Sequence, residues 1–126
     1  MQKKILVVDD EPHIVKMVAN RLRVSGYDII TAQDGAEGLK NTQEERPDLI
    51  LLDVLMPVMD GFQMLKKLKD NIATKDIPVI MFTAKGQAGD VEKAVDLGAL
   101  DYIVKPFTPI VLLEKINKAL VSDKKD

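Results

Sequence analysis

Short runs of uninterrupted apolar residues set the terms on which this chain can fold. Ile5–Val8 and Leu49–Leu52 carry no polar residue, and Val79–Thr83 is polar only at its last position. A strand built from such a run must be covered on both faces, whereas a half-wet antiparallel strand would alternate apolar with polar. Longer stretches with helical periodicity lie between the runs. Pro12 suits a first helical turn. Ile14, Val15, Val18 and Leu22 share one helical stripe, and Gly26 follows as a stop. Tyr27–Ala32 reads as a second strand. Asp34 caps a helix over Gly35–Glu44 whose apolar stripe is thin. Pro47 marks the boundary before the third strand, Leu49–Leu52.

The second half repeats the pattern. After a loop over Val54–Met59, Asp60 is the N-cap of a helix carrying Phe62, Leu65 and Leu68. Met56, Met59 and Met64 read as packing and loop filler, and Lys66, Lys67 and Lys69 as a solvated helix face. Pro78 introduces the fourth strand, Val79–Thr83. A helix over Gly89–Leu97 carries Val91, Ala94 and Val95 and stops at Gly98. Tyr102–Val104 is a short fifth strand. Thr108 and Pro109 open a last helix to about Val121, and the charged tail, 122–126, is expected to fray. Strand then helix, five times, with buried strands, means an α/β domain over 1–121: a doubly wound five-stranded parallel sheet. A closed barrel of such units needs about 250 residues, against 126 here.

Composition removes several function classes. There is no cysteine, so disulfides, thiolate metal sites and cysteine nucleophiles are excluded. The net charge of −2 does not suggest a strongly basic nucleic-acid surface, and no direct nucleic-acid binding is expected. The four-residue apolar run near the N-terminus is too short for a signal peptide, and no segment approaches the ~20 apolar residues of a membrane span. A cytoplasmic protein with no membrane contact is expected.

In an open parallel sheet, ligands bind beyond the carboxyl ends of the strands. Those ends carry Asp9 and Asp10 with Glu11 following, Asp53, Thr83, and Lys105. Clustered carboxylates repel, and a hard cation such as Mg²⁺ relieves that repulsion while leaving room for phosphate oxygens. An ionised aspartate can attack phosphorus to form an aspartyl phosphate. Such transfer needs positioning and charge neutralisation, which a cation, an ammonium and a hydroxyl supply. Asp10, Lys105 and Thr83 are the right types.

The segments ILVVDDEP, PDLILLDVLMPVMDG, PVIMFTA and DYIVKPF, in that order, resemble the receiver domain of two-component response regulators, of the chemotaxis-regulator kind. The resemblance implies a flavodoxin-like sheet of strand order 2-1-3-4-5. It implies that Asp53 is the phosphoacceptor, that Asp10 and the backbone carbonyl of Leu55 are Mg²⁺ ligands with Asp53, and that Asp9 acts through water. Mn²⁺ would substitute. Lys105 would pair with a phosphoryl oxygen and Thr83 with another, while Tyr102 would be the aromatic switch residue that turns inward. The Lys105–Pro106 bond would be cis. The phosphodonor would be a sensor histidine kinase or histidine phosphotransfer protein. The output would be the face built by the fourth helix, fifth strand and fifth helix, read by a downstream protein.

Other readings fit less well. An aspartyl-phosphate phosphatase of the haloacid dehalogenase kind wants a second Asp two residues after the nucleophile, where this chain has Leu55. A nucleotide or flavin module wants a Gly-rich first turn, where this chain has DDEP. His13, the lone histidine, reads as a solvated helix residue. The start and the charged end favour a stand-alone receiver, monomeric or weakly dimeric on phosphorylation, over the receiver of a longer DNA-binding regulator. DNA-binding relatives often dimerise through acids paired with arginines. Here Asp101 follows Leu100, and the final helix offers Lys115 and Lys118.

Overall fold

The structure is a computed structural model that describes residues 2–84 and 87–123. Five strands alternate with five helices: β1 (Lys4–Val8), α1 (Pro12–Val24), β2 (Asp28–Ala32), α2 (Gly35–Glu45), β3 (Leu49–Asp53), α3 (Gly61–Asp70), β4 (Val79–Ala84), α4 (Ala88–Asp96), β5 (Asp101–Lys105) and α5 (Pro109–Asp123). All strand pairs are parallel, in the order β2-β1-β3-β4-β5. The expected flavodoxin-like α/β fold is the one found.

The two-residue period of the strands divides the apolar runs between two cores. Leu6, Val8, Ile50, Leu52, Val79 and Met81 pack with Phe62, Leu65 and Leu68 of α3 and Ala94 of α4. Ile5, Val7, Leu49, Leu51, Ile80, Phe82 and Ile103 pack with Val18 and Leu22 of α1 and with Leu112, Ile116 and Ala119 of α5. The thin stripe of α2 has a physical reason. Its buried residues are Gly35, Gly38 and Thr42, and their small size admits neighbouring side chains. A Cβ on Gly38 would sit 2.9 Å from Met64 Cε and 3.2 Å from Val8 Cγ1. The expected caps form: Asp34 accepts from Glu37 N at 2.8 Å, and Asp60 with Gln63 makes a reciprocal capping box.

Four expectations need adjustment. β5 begins at Asp101 and runs to Lys105, because pairing with β4 extends from Ile80↔Asp101 to Ala84↔Lys105. Val95 is exposed; the inward position of α4 is Ala94. Lys69 is not on a solvated face. The loop after α3 folds back under it, and its ammonium donates to the carbonyls of Lys75 (2.9 Å) and Ile77 (3.0 Å). Burial lowers its pKa, and Asp76 opposes that shift. α5 runs to Asp123, two residues into the expected tail; the fraying expected of 124–126 lies outside the described residues.

Val58, in the loop between β3 and α3, adopts φ +67° with its side chain fully exposed. A β-branched residue is strained there and gains no packing in return. Val58→Gly is therefore expected to stabilise the domain by about 1 kcal/mol. Urea unfolding of the two proteins side by side measures it, and an unchanged or lower midpoint would contradict the strain.

Candidate functional site

The pleat places consecutive acids in different surroundings. Asp9 continues the alternation of Ile5 and Val7 and is 0% exposed, while Asp10 faces solvent. Asp53 closes β3 and is 6% exposed. One carboxylate oxygen from each of the three lies within 4.8 Å of the others. Lys105, at the end of the edge strand β5, reaches across β4 to this cluster. Its Nζ lies 2.8 Å from Asp9 Oδ2, 3.3 Å from Asp53 Oδ1 and 3.3 Å from Glu11 Oε1. The other oxygen of Asp9 accepts from Glu11 N at 3.0 Å. The Lys105–Pro106 bond is cis.

Burial raises the pKa of Asp53 to about 7, the Asp9 charge adds to the rise, and Lys105 opposes it. Burial alone would lower the pKa of Lys105. Its hydrogen bond to Asp9 and the charges of Asp53 and Asp9 outweigh that, and the net direction is up. The ammonium is held charged among acids.

Thr83 is 1% exposed near the end of β4, and among the described residues its Oγ1 is a buried side-chain oxygen without a hydrogen-bond partner. A buried hydroxyl left unsatisfied is costly, and the register places Thr83 one residue beyond Phe82, the partner of Asp53. Tyr102 is half-buried on β5 opposite Met81, and Thr83 lies opposite Val104. Residues in register share a sheet face, so Thr83 and Tyr102 are diagonal neighbours on one face. The loop carrying Leu55 is pinned at both ends: Val54 N donates to Phe82 O (3.2 Å) and Gly61 N to Val54 O (2.8 Å). The Leu55 side chain points to solvent.

The structure thus brings together Asp9, Asp10, Asp53 and Lys105, with Thr83 at the end of the strand next to Asp53 and Tyr102 one strand further out. Sequence reasoning gave no role to three further contributors. Glu11 shares the Lys105 ammonium, and its signal was the third acid of DDE. Phe82 lies beneath Lys105, 5.6 Å from Nζ to ring centroid, and stacks on Phe107 at 5.2 Å; apolar residues give no such signal. Gly61 was legible only as the residue after a cap. A Cβ there would strike the backbone carbonyl of Asp53 and lie 2.9 Å from Val54 Cα.

The fold and this site define a class, and comparison with known proteins agrees. Residues 5–117 match the model of the response regulator receiver domain. The chain belongs to that family and is a receiver domain of two-component response regulators. It is 49% identical to the alkaline phosphatase synthesis transcriptional regulatory protein PhoP of Bacillus subtilis, over 86% of this chain and 45% of that protein. The chain spans about half the length of the curated relatives it matches. Among solved structures it is similar to the chemotaxis protein CheY4 of Vibrio cholerae (TM-score 0.90, 37% identity, 95% of this chain and 100% of that one). It is also similar to a CheY-like receiver domain protein of Methanospirillum hungatei (TM-score 0.92, 32% identity, 99% and 98%).

Two stability predictions follow from the geometry. Gly61→Ala forces backbone apart beneath Asp53 and is expected to destabilise by about 1–3 kcal/mol in urea unfolding; a neutral effect would show that the loop yields freely. The second concerns pH. The folded pKa of Asp53, about 7, exceeds the unfolded one, near pH 4. Its contribution to stability is full below the unfolded value and is lost as pH rises through the folded one. In EDTA, Asp53→Asn should raise the melting temperature more at pH 8 than at pH 5. Equal shifts at both would contradict a raised pKa.

Proposed function

We propose that this domain is a phosphorylation-dependent switch whose phosphoacceptor is Asp53, fed by a sensor histidine kinase or a histidine phosphotransfer protein. The observation that carries this is the set of groups around one carboxylate: an ammonium 3.3 Å away, two further acids and, near the end of the neighbouring strand, a buried hydroxyl without a partner among the described residues. In the transfer, an Asp53 oxygen attacks the phosphorus of a phosphohistidine. The new O–P bond forms as the N–P bond breaks, and the electron pair leaves with the imidazole. Lys105 meets one phosphoryl oxygen and Thr83 donates to another.

Asp10, Asp53 and the Leu55 carbonyl would hold Mg²⁺, or Mn²⁺ in its place. Both Asp9 oxygens already accept hydrogen bonds, which favours contact through water. An oxygen-only donor set with mutual repulsion fits such a hard cation. When bound, the cation neutralises the acids and the incoming phosphoryl charge. Drawing Thr83 toward the phosphoryl group vacates space on the face it shares with Tyr102, whose inward rotation reshapes the α4-β5-α5 surface for a partner protein. Hydrolysis of the aspartyl phosphate resets the switch. No separate substrate is turned over, so the domain is a switch with self-catalysed transfer and not an enzyme in the usual sense.

Among the described residues no helix is long and apolar enough to cross a membrane. We place the domain in the cytoplasm, as a monomer or weak phosphorylation-linked dimer with no direct nucleic-acid contact of its own. A second reading is favoured by the transcriptional regulators of which this chain spans about half: the receiver of a longer regulator, whose DNA contacts belong to another domain.

Intact mass after incubation with acetyl phosphate tests the site. One phosphoryl group should be gained with Mg²⁺, none in EDTA and none in Asp53→Asn. Lys105→Ala should stay folded and slow the gain at least tenfold. Stable phosphotransfer to Asp53→Asn would overturn the assignment.

A further inference from the structure

α5 packs on the sheet face opposite Tyr102, through Leu112, Ile116 and Ala119. One of its side chains nevertheless reaches the Tyr102 ring at the outer edge of β5. Lys115 Nζ lies 4.8 Å from the ring centroid. The same ammonium donates to Asp101 Oδ1 at 2.9 Å, and that oxygen also accepts from Tyr102 N at 2.8 Å. A single carboxylate oxygen therefore ties the backbone of Tyr102 to the cation that covers its side chain.

We infer that Lys115, held by Asp101, is a positioning residue that keeps the Tyr102 ring where it lies in the unphosphorylated domain and so sets the balance of the switch. This rests on the reading of Thr83 and Tyr102 given above. An ammonium is attracted to the face of an aromatic ring, and inward rotation of the ring gives that attraction up. The position of Asp101 matters because a lysine stem is flexible. The carboxylate fixes the ammonium over the ring and so reduces the entropy of holding it there. The contact stabilises only one of the two states, and only such differential contacts shift an equilibrium. Its loss should raise the competent fraction, and with it the apparent affinity for an acyl-phosphate mimic. A contact of this strength corresponds to a change of about two- to fivefold. Lys115 and Asp101 also line a surface depression with Leu100, Lys118 and Ala119. A partner bound on that side of α5 can thus reach the latch without touching Asp53.

Beryllofluoride titration by calorimetry, with saturating Mg²⁺, tests the inference. Lys115→Met, which keeps the apolar stem, and Asp101→Asn should each tighten binding about two- to fivefold. Lys115→Arg should restore the wild-type midpoint. Mg²⁺ affinity without beryllofluoride should not change. In a Tyr102→Ala background, Lys115→Met should have no effect, because the ring it holds is gone. An unchanged midpoint in Lys115→Met, or the same tightening without Tyr102, would overturn the latch. Failure of the wild type to bind beryllofluoride would overturn the phosphorylation reading, and the latch with it.

Discussion

One ammonium holds the carboxyl edge of the sheet together. Lys105 comes from an edge strand and contacts two acids of the turn after β1, Asp9 and Glu11, and Asp53 at the end of β3. Without that charge, Asp9 and Asp53 would be two buried acids a few ångströms apart, a placement that water would otherwise contest strongly. With it, Asp9 stays bonded at both oxygens and Asp53 remains the acid that can exchange proton for charge. The rest of the site depends on this division. Asp9 is committed to structure, Asp10 faces solvent, and Asp53 sits between them with a pKa of about 7.

The strand ends lie within reach of one another because the sheet is parallel and covered on both faces. The apolar runs dictate that arrangement, and the backbone obeys at a few tight points. Gly61 brings the start of α3 against the backbone of Asp53, which fixes where the loop leaves the strand. Phe82 and Phe107 form a flat stack beneath the Lys105 side chain. Two faces with different neighbours follow from the pleat. Asp9 and Asp53 lie with the α1–α5 core, whereas Thr83 and Tyr102 lie with the α3–α4 core. In the proposed switch, a signal from Asp53 to the α4-β5-α5 surface would pass from one face of the sheet to the other through Thr83 and its diagonal neighbour Tyr102.

Much of this was legible in the residues. The runs Ile5–Val8 and Leu49–Leu52 gave a two-sided parallel sheet, because strands without alternation have no wet face. Pro12, Asp34, Asp60 and Pro109 marked helix starts by local chemistry that needs no tertiary context. The acids, Thr83 and Lys105 were found by asking what lies at strand ends, and the four quoted segments supplied their roles by resemblance. What was missed depends on long-range contact. Lys69 looks solvated in the sequence, because nothing local reveals that the chain six and eight residues on turns its carbonyls toward it. Val95 fits a helical stripe as well as Ala94 does, and only packing against the sheet chooses between them. The Lys115–Asp101–Tyr102 contact joins residues whose pairing no periodicity encodes.

The central claim is that burial, with the Asp9 charge, holds the Asp53 pKa near 7, and that in the proposed transfer a bound cation would favour its ionised form. Carboxyl-carbon NMR of the metal-free protein, with aspartates labelled and Asp53 assigned through Asp53→Asn, tests this most directly. The account predicts a titration midpoint near 7 for Asp53 that falls when Mg²⁺ is added. A midpoint near the ordinary carboxylate value of about 4, indifferent to Mg²⁺, would contradict it.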